Sequence, residues 1–363
     1  MSPDRDALTA DFLARAGLAE AERLPLPGDA STRRYERLRL PDGRMLMLMD
    51  APPSAESAPC PPDASPEERR AAGYNAMARL AAGRVDAFAA ASDFLRSQGL
   101  SAPEVLALDA DNGLAVVEDL GDGLFVRLIE TGVDERELYY AAIDALARLH
   151  AEAPPPVLGR NGAMWPLLAY DDLAMKTGAD LFVEWYPKLH PQLAFDAAAL
   201  QEWERLWVPI RARGDAQATV FAHRDYHAEN LIWLPEREGP ARVGMVDFQD
   251  AVRAHPCWDL HSLLHDARRD VAAALEQACL ERYFSLRPDV DRAAFMADYA
   301  GLAALNEARI LGIFSRLVSR DGKPRYRQFV PRMWGYLEQS LAQPGMEGLR
   351  DWFERHVPKE ARA

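Results

Sequence analysis

The chain has 363 residues, enough for two sizeable lobes, with 49% hydrophobic and 27% charged residues, the balance of an ordinary globular protein. A formal net charge of −14 argues against binding along a nucleic-acid backbone, although it leaves nucleotides open because a cation and a few arginines offset a triphosphate locally. No apolar run is long enough to span a bilayer, no basic-then-apolar leader opens the chain, and three cysteines without metal-ligand spacing suggest a reduced, cytoplasmic protein.

In chain order, Asp4 to Gly17 reads as an amphipathic helix with Leu8, Phe12 and Leu13 on one face. Gly28-Asp29-Ala30-Ser31-Thr32 is a loop of turn formers and small hydroxyls. Arg34 to Leu40 and Met45 to Met49 follow as strands joined by the turn Pro41-Asp42-Gly43. Six prolines between Ala51 and Pro66 demand a loop, a candidate lid. Pro66 to Gln98 reads as Ala-rich helix broken near Gly83. Val105 to Leu108 and Leu114 to Val117 are strands that run into Glu118-Asp119-Leu120-Gly121. A lobe boundary is expected there, with an N-lobe over 1–120 and a C-lobe over 121–363. Beyond it the pattern is mainly helical, as over Leu138 to His150 and Ala197 to Arg213, with one β island from Leu231 to Val246. The expected class is α+β.

His223-Arg224-Asp225-Tyr226-His227-Ala228-Glu229-Asn230 satisfies H-R-D-x-x-x-x-N, the catalytic-loop pattern of kinases. Four fixed positions recur by chance in roughly one in several hundred chains of this length, so context has to support the match. Phosphoryl transfer needs a carboxylate near the attacking hydroxyl and oxygen ligands for magnesium. Asp225 suits the first need and Asn230 part of the second. If Leu231 to Leu234 pairs with Arg242 to Val246 as a hairpin, Asn230 opens one strand and Asp247 closes the other, about 5 Å apart. Asp247-Phe248-Gln249 then takes the place of the kinase D-F-G. Asp225 is thus the expected catalytic base, with Asn230 and Asp247 as metal ligands. His223 and Arg224 are expected to brace the loop.

At these residues the chain resembles the aminoglycoside phosphotransferase and choline kinase-like superfamily, which implies a bilobal protein-kinase-like fold, ATP and Mg2+. Pro256-Cys257-Trp258-Asp259-Leu260 resembles the P-x-x-D-L of that superfamily, where the Asp supports the catalytic loop. A narrower resemblance spans nearly the whole chain. Gly28-Asp29-Ala30-Ser31, Arg33-Arg34-Tyr35, Leu48 to Pro53, Glu118 to Gly121, Leu311 to Phe314 and Arg320 to Pro324 are similar to bacterial anomeric sugar kinases of cell-wall recycling. That resemblance implies N-acetylmuramate and N-acetylglucosamine as small-molecule substrates; a monomer is expected, with nucleotide contacts from Gly28, Ser31, Arg33, Arg34 and Glu118.

Kinases place a lysine on the third strand, yet no lysine precedes Lys176. Arg33 or Arg34 is expected to substitute, with Arg44 third, and alternation sends only one of the pair toward the phosphates. The stretch Arg309 to Arg332 holds seven basic residues against Asp321 alone. Most such runs are solvated helix faces, but Arg309 and Arg316, seven residues apart, share a face and suit a carboxylate-bearing sugar, with Asn306 beside them. An antibiotic or choline kinase is one alternative. A zinc hydrolase built on His223, Asp225, His227, Asp247, His255 and His261 is another, and an inactive binding module a third.

Overall fold

The computed structural model describes residues 3–27, 33–52, 59, 61–159 and 163–362. Gly28 and Ser31, and most of the proline-rich lid candidate, lie outside them. The N-terminal part holds α1 (Pro3–Arg15), β1 (Glu22–Pro25), β2 (Arg34–Arg39), β3 (Met45–Asp50), α2 (Pro66–Ala72), α3 (Tyr74–Met77), α4 (Val85–Ser97), β4 (Val105–Asp109) and β5 (Leu114–Glu118). Its five strands form one antiparallel sheet in the order β1-β2-β3-β5-β4. Strand alternation gives the sheet two different faces. Leu38, Leu48, Leu114 and Val116 turn to one side and bury against Phe12 and Leu13 of α1, which stabilises the pairing by ~1.5–3 kcal/mol per large side chain. Tyr35, Met47, Met49, Ala115 and Val117 turn the other way and join the main core.

Two differences from the sequence reading stand out here. β1 was hidden by Pro25 and Pro27, which an edge strand tolerates because one side of its backbone needs no partner. The Ala-rich stretch is three helices rather than two, since Gly73 at φ 101° breaks it before Gly83 does. Helix α4 ties the sheet to the chemistry. Phe88 stacks on Phe248 with ring centroids 4.7 Å apart, and Phe94 stacks on Phe221 at 5.2 Å.

The rest of the chain contains α5 (Phe125–Glu130), α6 (Glu135–Leu149), β6 (Val157–Leu158), β7 (Trp165–Pro166), α7 (Asp172–Leu189), α8 (Ala197–Ala216), β8 (Val220–Ala222), β9 (Leu231–Trp233), β10 (Val243–Met245) and β11 (Val252–Ala254). Helices α9 (Cys257–Leu264), α10 (Ala273–Leu286), α11 (Arg292–Ser319), α12 (Val330–Leu341) and α13 (Glu347–His356) complete it. An aromatic core of Phe182, Trp203, Trp207, Trp334, Trp352 and Phe353 joins α7, α8, α12 and α13. The long helix α11 lies against α7 so closely that a Cβ on Gly312 would stand 2.3 Å from the Leu181 carbonyl carbon. Only glycine permits that crossing, which sets where the middle of α11 faces the cleft. No described helix is long and apolar enough to cross a membrane.

Two short antiparallel pairs frame the chemistry. β9 pairs with β10, Leu231 opposite Met245, and β8 pairs with β11, Ala222 opposite Val252. His223 to Asn230 therefore leaves β8 and enters β9, while Val246 to Ala251 leaves β10 and enters β11.

Candidate active site

The β9–β10 hairpin has the expected register, and the Val246 amide donates to the Asn230 carbonyl at 3.1 Å. Asn230 and Asp247 thereby stand at the same end of the hairpin. The Asn230 amide nitrogen donates to the Asp225 carbonyl at 2.9 Å and reaches His227 Nε2 at 3.4 Å. Its nitrogen edge is thus occupied, leaving Oδ1 as the edge that can act as a ligand. Among non-glycine residues, Arg224 (φ 75°) and Asp247 (φ 68°) both take the left-handed region, at a cost of ~1–3 kcal/mol each that the surroundings must offset.

Asp259 supplies part of that offset. Its two carboxylate oxygens accept the backbone amides of His223 at 2.6 Å and Arg224 at 2.9 Å. Full burial raises its pKa to about 7, working against the two amides, which lower it. The Arg224 guanidinium turns away from the cleft to the carbonyls of Ala78, Arg79 and Asp250, and lies 4.8 Å over the Tyr170 ring. His223 is fully buried, and desolvation first of all lowers its pKa. The Arg224 side chain holds the loop by hydrogen bonds, and the His223 ring packs edge-on against Tyr226 and Phe248.

Of the arginines proposed for the missing lysine, Arg33 reaches the site. Its guanidinium pairs with the Asp247 carboxylate and with Gln249 Oε1, across more than two hundred residues of sequence. Arg34, next along β2, is exposed on the opposite side. Arg44 is 72% exposed at the hairpin turn and pairs with Asp42 at 2.7 Å, so that third candidate is corrected: its position in the turn points it into solvent. The Glu118 carboxylate accepts from Arg237 at 2.6 Å and Arg96 at 3.4 Å, where the sheet passes into the next lobe. Below it Leu120, Ile232 and Leu234 form a small apolar cluster of their own.

On the far side of Asp225 lies a recess of about 110 Å3 that includes His227, Arg268, Asn306 and Arg309. Arg309 Nη1 donates to Asn306 Oδ1 at 2.7 Å. Arg316 does not line this recess; its guanidinium lies 4.8 Å over the ring of Tyr74 on α3. The remaining arginines of the basic run divide as a solvated face does, Arg320 pairing with Asp321 and Arg332 with Asp270. Sequence reasoning missed Arg268, Tyr74 and the role of His227. Arg268 bridges Glu229 at 2.7 Å and His227 Nε2 at 3.1 Å. His227 has its pKa lowered to about 4, first by burial and then by Arg268, so it remains a neutral acceptor. The zinc alternative gains nothing: His255 turns to Asp298, and among the described residues no three His, Cys, Asp or Glu side chains gather as a metal cluster.

A model of the phosphotransferase enzyme family matches residues 22–296. The chain is 61% identical over 362 residues to the N-acetylmuramate/N-acetylglucosamine kinase of Caulobacter vibrioides, covering 100% of this chain and 99% of that one. It is 30% identical over 330 residues to the kinase of the same name from Pseudomonas aeruginosa, covering 89% and 84%. Among solved structures, a choline/ethanolamine kinase family protein from Mesorhizobium loti superposes with a TM-score of 0.53 at 17% identity, over 96% of this chain and 99% of that one, a likeness of fold. The chain belongs to the phosphotransferase enzyme family.

Proposed function

We propose that this phosphotransferase is a sugar kinase that moves the γ-phosphoryl group of ATP onto the anomeric hydroxyl of N-acetylmuramate and N-acetylglucosamine. The observation that carries the reading is identity of 61% along the full chain to a kinase of that name; the register that sets Asn230 and Asp247 at one hairpin end, with the Asn230 amide bonded to the Asp225 carbonyl, supports it. In this reading the chain divides near residue 120 into a nucleotide lobe and a sugar lobe.

Asp225 orients the acceptor hydroxyl and takes its proton as the bond to phosphorus forms. An anomeric hydroxyl is more acidic than an ordinary alcohol, so the demand on the base is modest and positioning supplies most of the rate. Asn230 Oδ1 and the Asp247 carboxylate would hold Mg2+, which suits such hard oxygen donors. When bound, that ion neutralises phosphate charge and orients the transferring group. Arg33 adds a second positive centre at the same place through its contact with Asp247, taking the part that a strand lysine plays in other kinases. The resemblance of the Gly28 to Ser31 loop to the family assigns it to the phosphates. Leu120 and Ile232 offer an apolar surface to the base.

The test is to incubate the protein with magnesium-ATP and, separately, N-acetylmuramate, N-acetylglucosamine, kanamycin and choline, following ADP release and product mass. Phosphorylation of the two amino sugars alone is expected. Turnover of kanamycin or choline in their place would overturn the substrate while leaving the phosphotransferase standing.

A further inference from the structure

The recess beside Asp225 has a chemistry of its own. Its floor is apolar: Ile310, Ile313 and Phe314 project from α11, with Ala267 opposite. Two of its polar groups, Asn306 and Arg309, sit one turn away on the same helix. The bond from Arg309 Nη1 uses the one oxygen of the Asn306 side chain, so the amide nitrogen and the rest of the guanidinium present donors only. Asp225, His227 and Ser262 line the recess on the catalytic-loop and α9 side, so its donors gather at the α11 end, at Asn306 and Arg309. At about 110 Å3 the recess holds the equivalent of three or four waters at ~30 Å3 each, too small for a sugar ring.

We infer that this recess binds the 2-acetamido group of the acceptor, its carbonyl oxygen on Asn306 and Arg309 and its methyl against Ile310, Ile313 and Phe314. The inference rests on the sugar-kinase reading above and deepens it. If Asp225 faces the anomeric hydroxyl, the substituent one carbon away must lie in the space adjoining Asp225, and this recess adjoins it. An acetamido group has four heavy atoms, one acceptor oxygen and one methyl. Those features match a donor pair above an apolar floor in both size and polarity. Free glucosamine would bring an ammonium against the Arg309 guanidinium, and glucose would offer those donors only a 2-hydroxyl oxygen, held two bonds closer to the ring than the acetamido carbonyl oxygen. N-acetylmuramate and N-acetylglucosamine share the acetamido group and differ elsewhere on the ring, so reading that group accounts for acceptance of both.

The experiment compares kcat/KM for N-acetylglucosamine, glucose, glucosamine and N-butanoylglucosamine on the wild type and on Ile313→Ala, with Ile313→Val as the milder variant should the first fold poorly. On the wild type, glucose and glucosamine are expected to fall by about 100-fold or more, because buried donors are left unpaired or face a like charge. N-butanoylglucosamine should fall about 10-fold or more, since two added methylenes overfill the recess. In Ile313→Ala the butanoyl penalty should shrink to within about threefold, mainly through KM, while that for glucose persists. Glucose turned over as well as N-acetylglucosamine, or a butanoyl penalty unaltered in both Ile313 variants, overturns the inference and leaves the kinase intact. Failure to phosphorylate any of these sugars removes the kinase reading itself.

Discussion

Replacing Phe88 by alanine tests whether α4 holds the Asp247 loop in place. Phe88 is 4% exposed and Phe248 fully buried, their rings stacked at 4.7 Å with planes 16° apart. Truncating a buried phenylalanine to alanine costs ~3–5 kcal/mol, of which about 0.5–1.5 belongs to the ring pair. Against a total of roughly 5–15 kcal/mol, that is about a fifth of the stability or more. Urea unfolding should show the loss as a lower midpoint with an unchanged slope, and Phe88→Leu should lose less than about 1.5 kcal/mol because it keeps most of the volume. The functional consequence is separable. Phe248 follows Asp247 directly, so a loosened ring should raise the Mg2+ concentration for half-maximal turnover about fivefold or more, at ~1 kcal/mol of weakened binding. Phe353→Ala, a truncation of equal size in the aromatic core near the C-terminus, should lose comparable stability with no shift in Mg2+ dependence. A loss below about 1 kcal/mol for Phe88→Ala, or Mg2+ curves alike in the two variants, would refute the argument.

Stability should also depend on pH through His265. Burial opposes its charge, but hydrogen bonds to Glu276 and Glu307 win and raise its pKa to about 9. The unfolded value is ~6.5, so the contribution is complete below that pH and disappears as pH climbs through 9, up to about 3 kcal/mol. Chemical denaturation between pH 7 and 9 should show this decline, and His265→Gln should flatten it. Gly312→Ala would set a Cβ 2.3 Å from the Leu181 carbonyl carbon, forcing α11 off α7. It should cost ~1–3 kcal/mol in unfolding and raise the sugar KM about fivefold with kcat less affected; a wild-type KM would show that the crossing does not position Asn306 and Arg309.

The parts of the site legible in the sequence are those encoded locally. Asp225 and Asn230 fall within one eight-residue loop, and Asp247 is joined to them by a hairpin whose strands and turn lie next to each other in the chain. Period-two alternation likewise separates Arg33 from Arg34 before any tertiary contact is known. What could not be read depends on distant segments meeting. Arg268 reaches His227 from a loop after α9, and Tyr74 meets Arg316 from a short helix two hundred residues earlier. Neither residue has a neighbour pattern that announces its role. Helix α7 carries Pro187 and the helix-weakening Gly178, so its propensity is poor; its stability comes from packing against α11 instead. Arg44 was misjudged because strand adjacency says nothing about how far a turn projects into solvent.

Asp225 serves transfer to an anomeric hydroxyl in the proposed reaction. Phosphorus and proton NMR of the product from N-acetylglucosamine and magnesium-ATP locate the new ester directly, with Asp225→Asn run beside the wild type. The wild type should yield a sugar 1-phosphate, and the variant should lose about 10²-fold or more in kcat with KM for ATP nearly unchanged. A phosphate on another hydroxyl, or a variant that retains wild-type turnover, would contradict that role for Asp225.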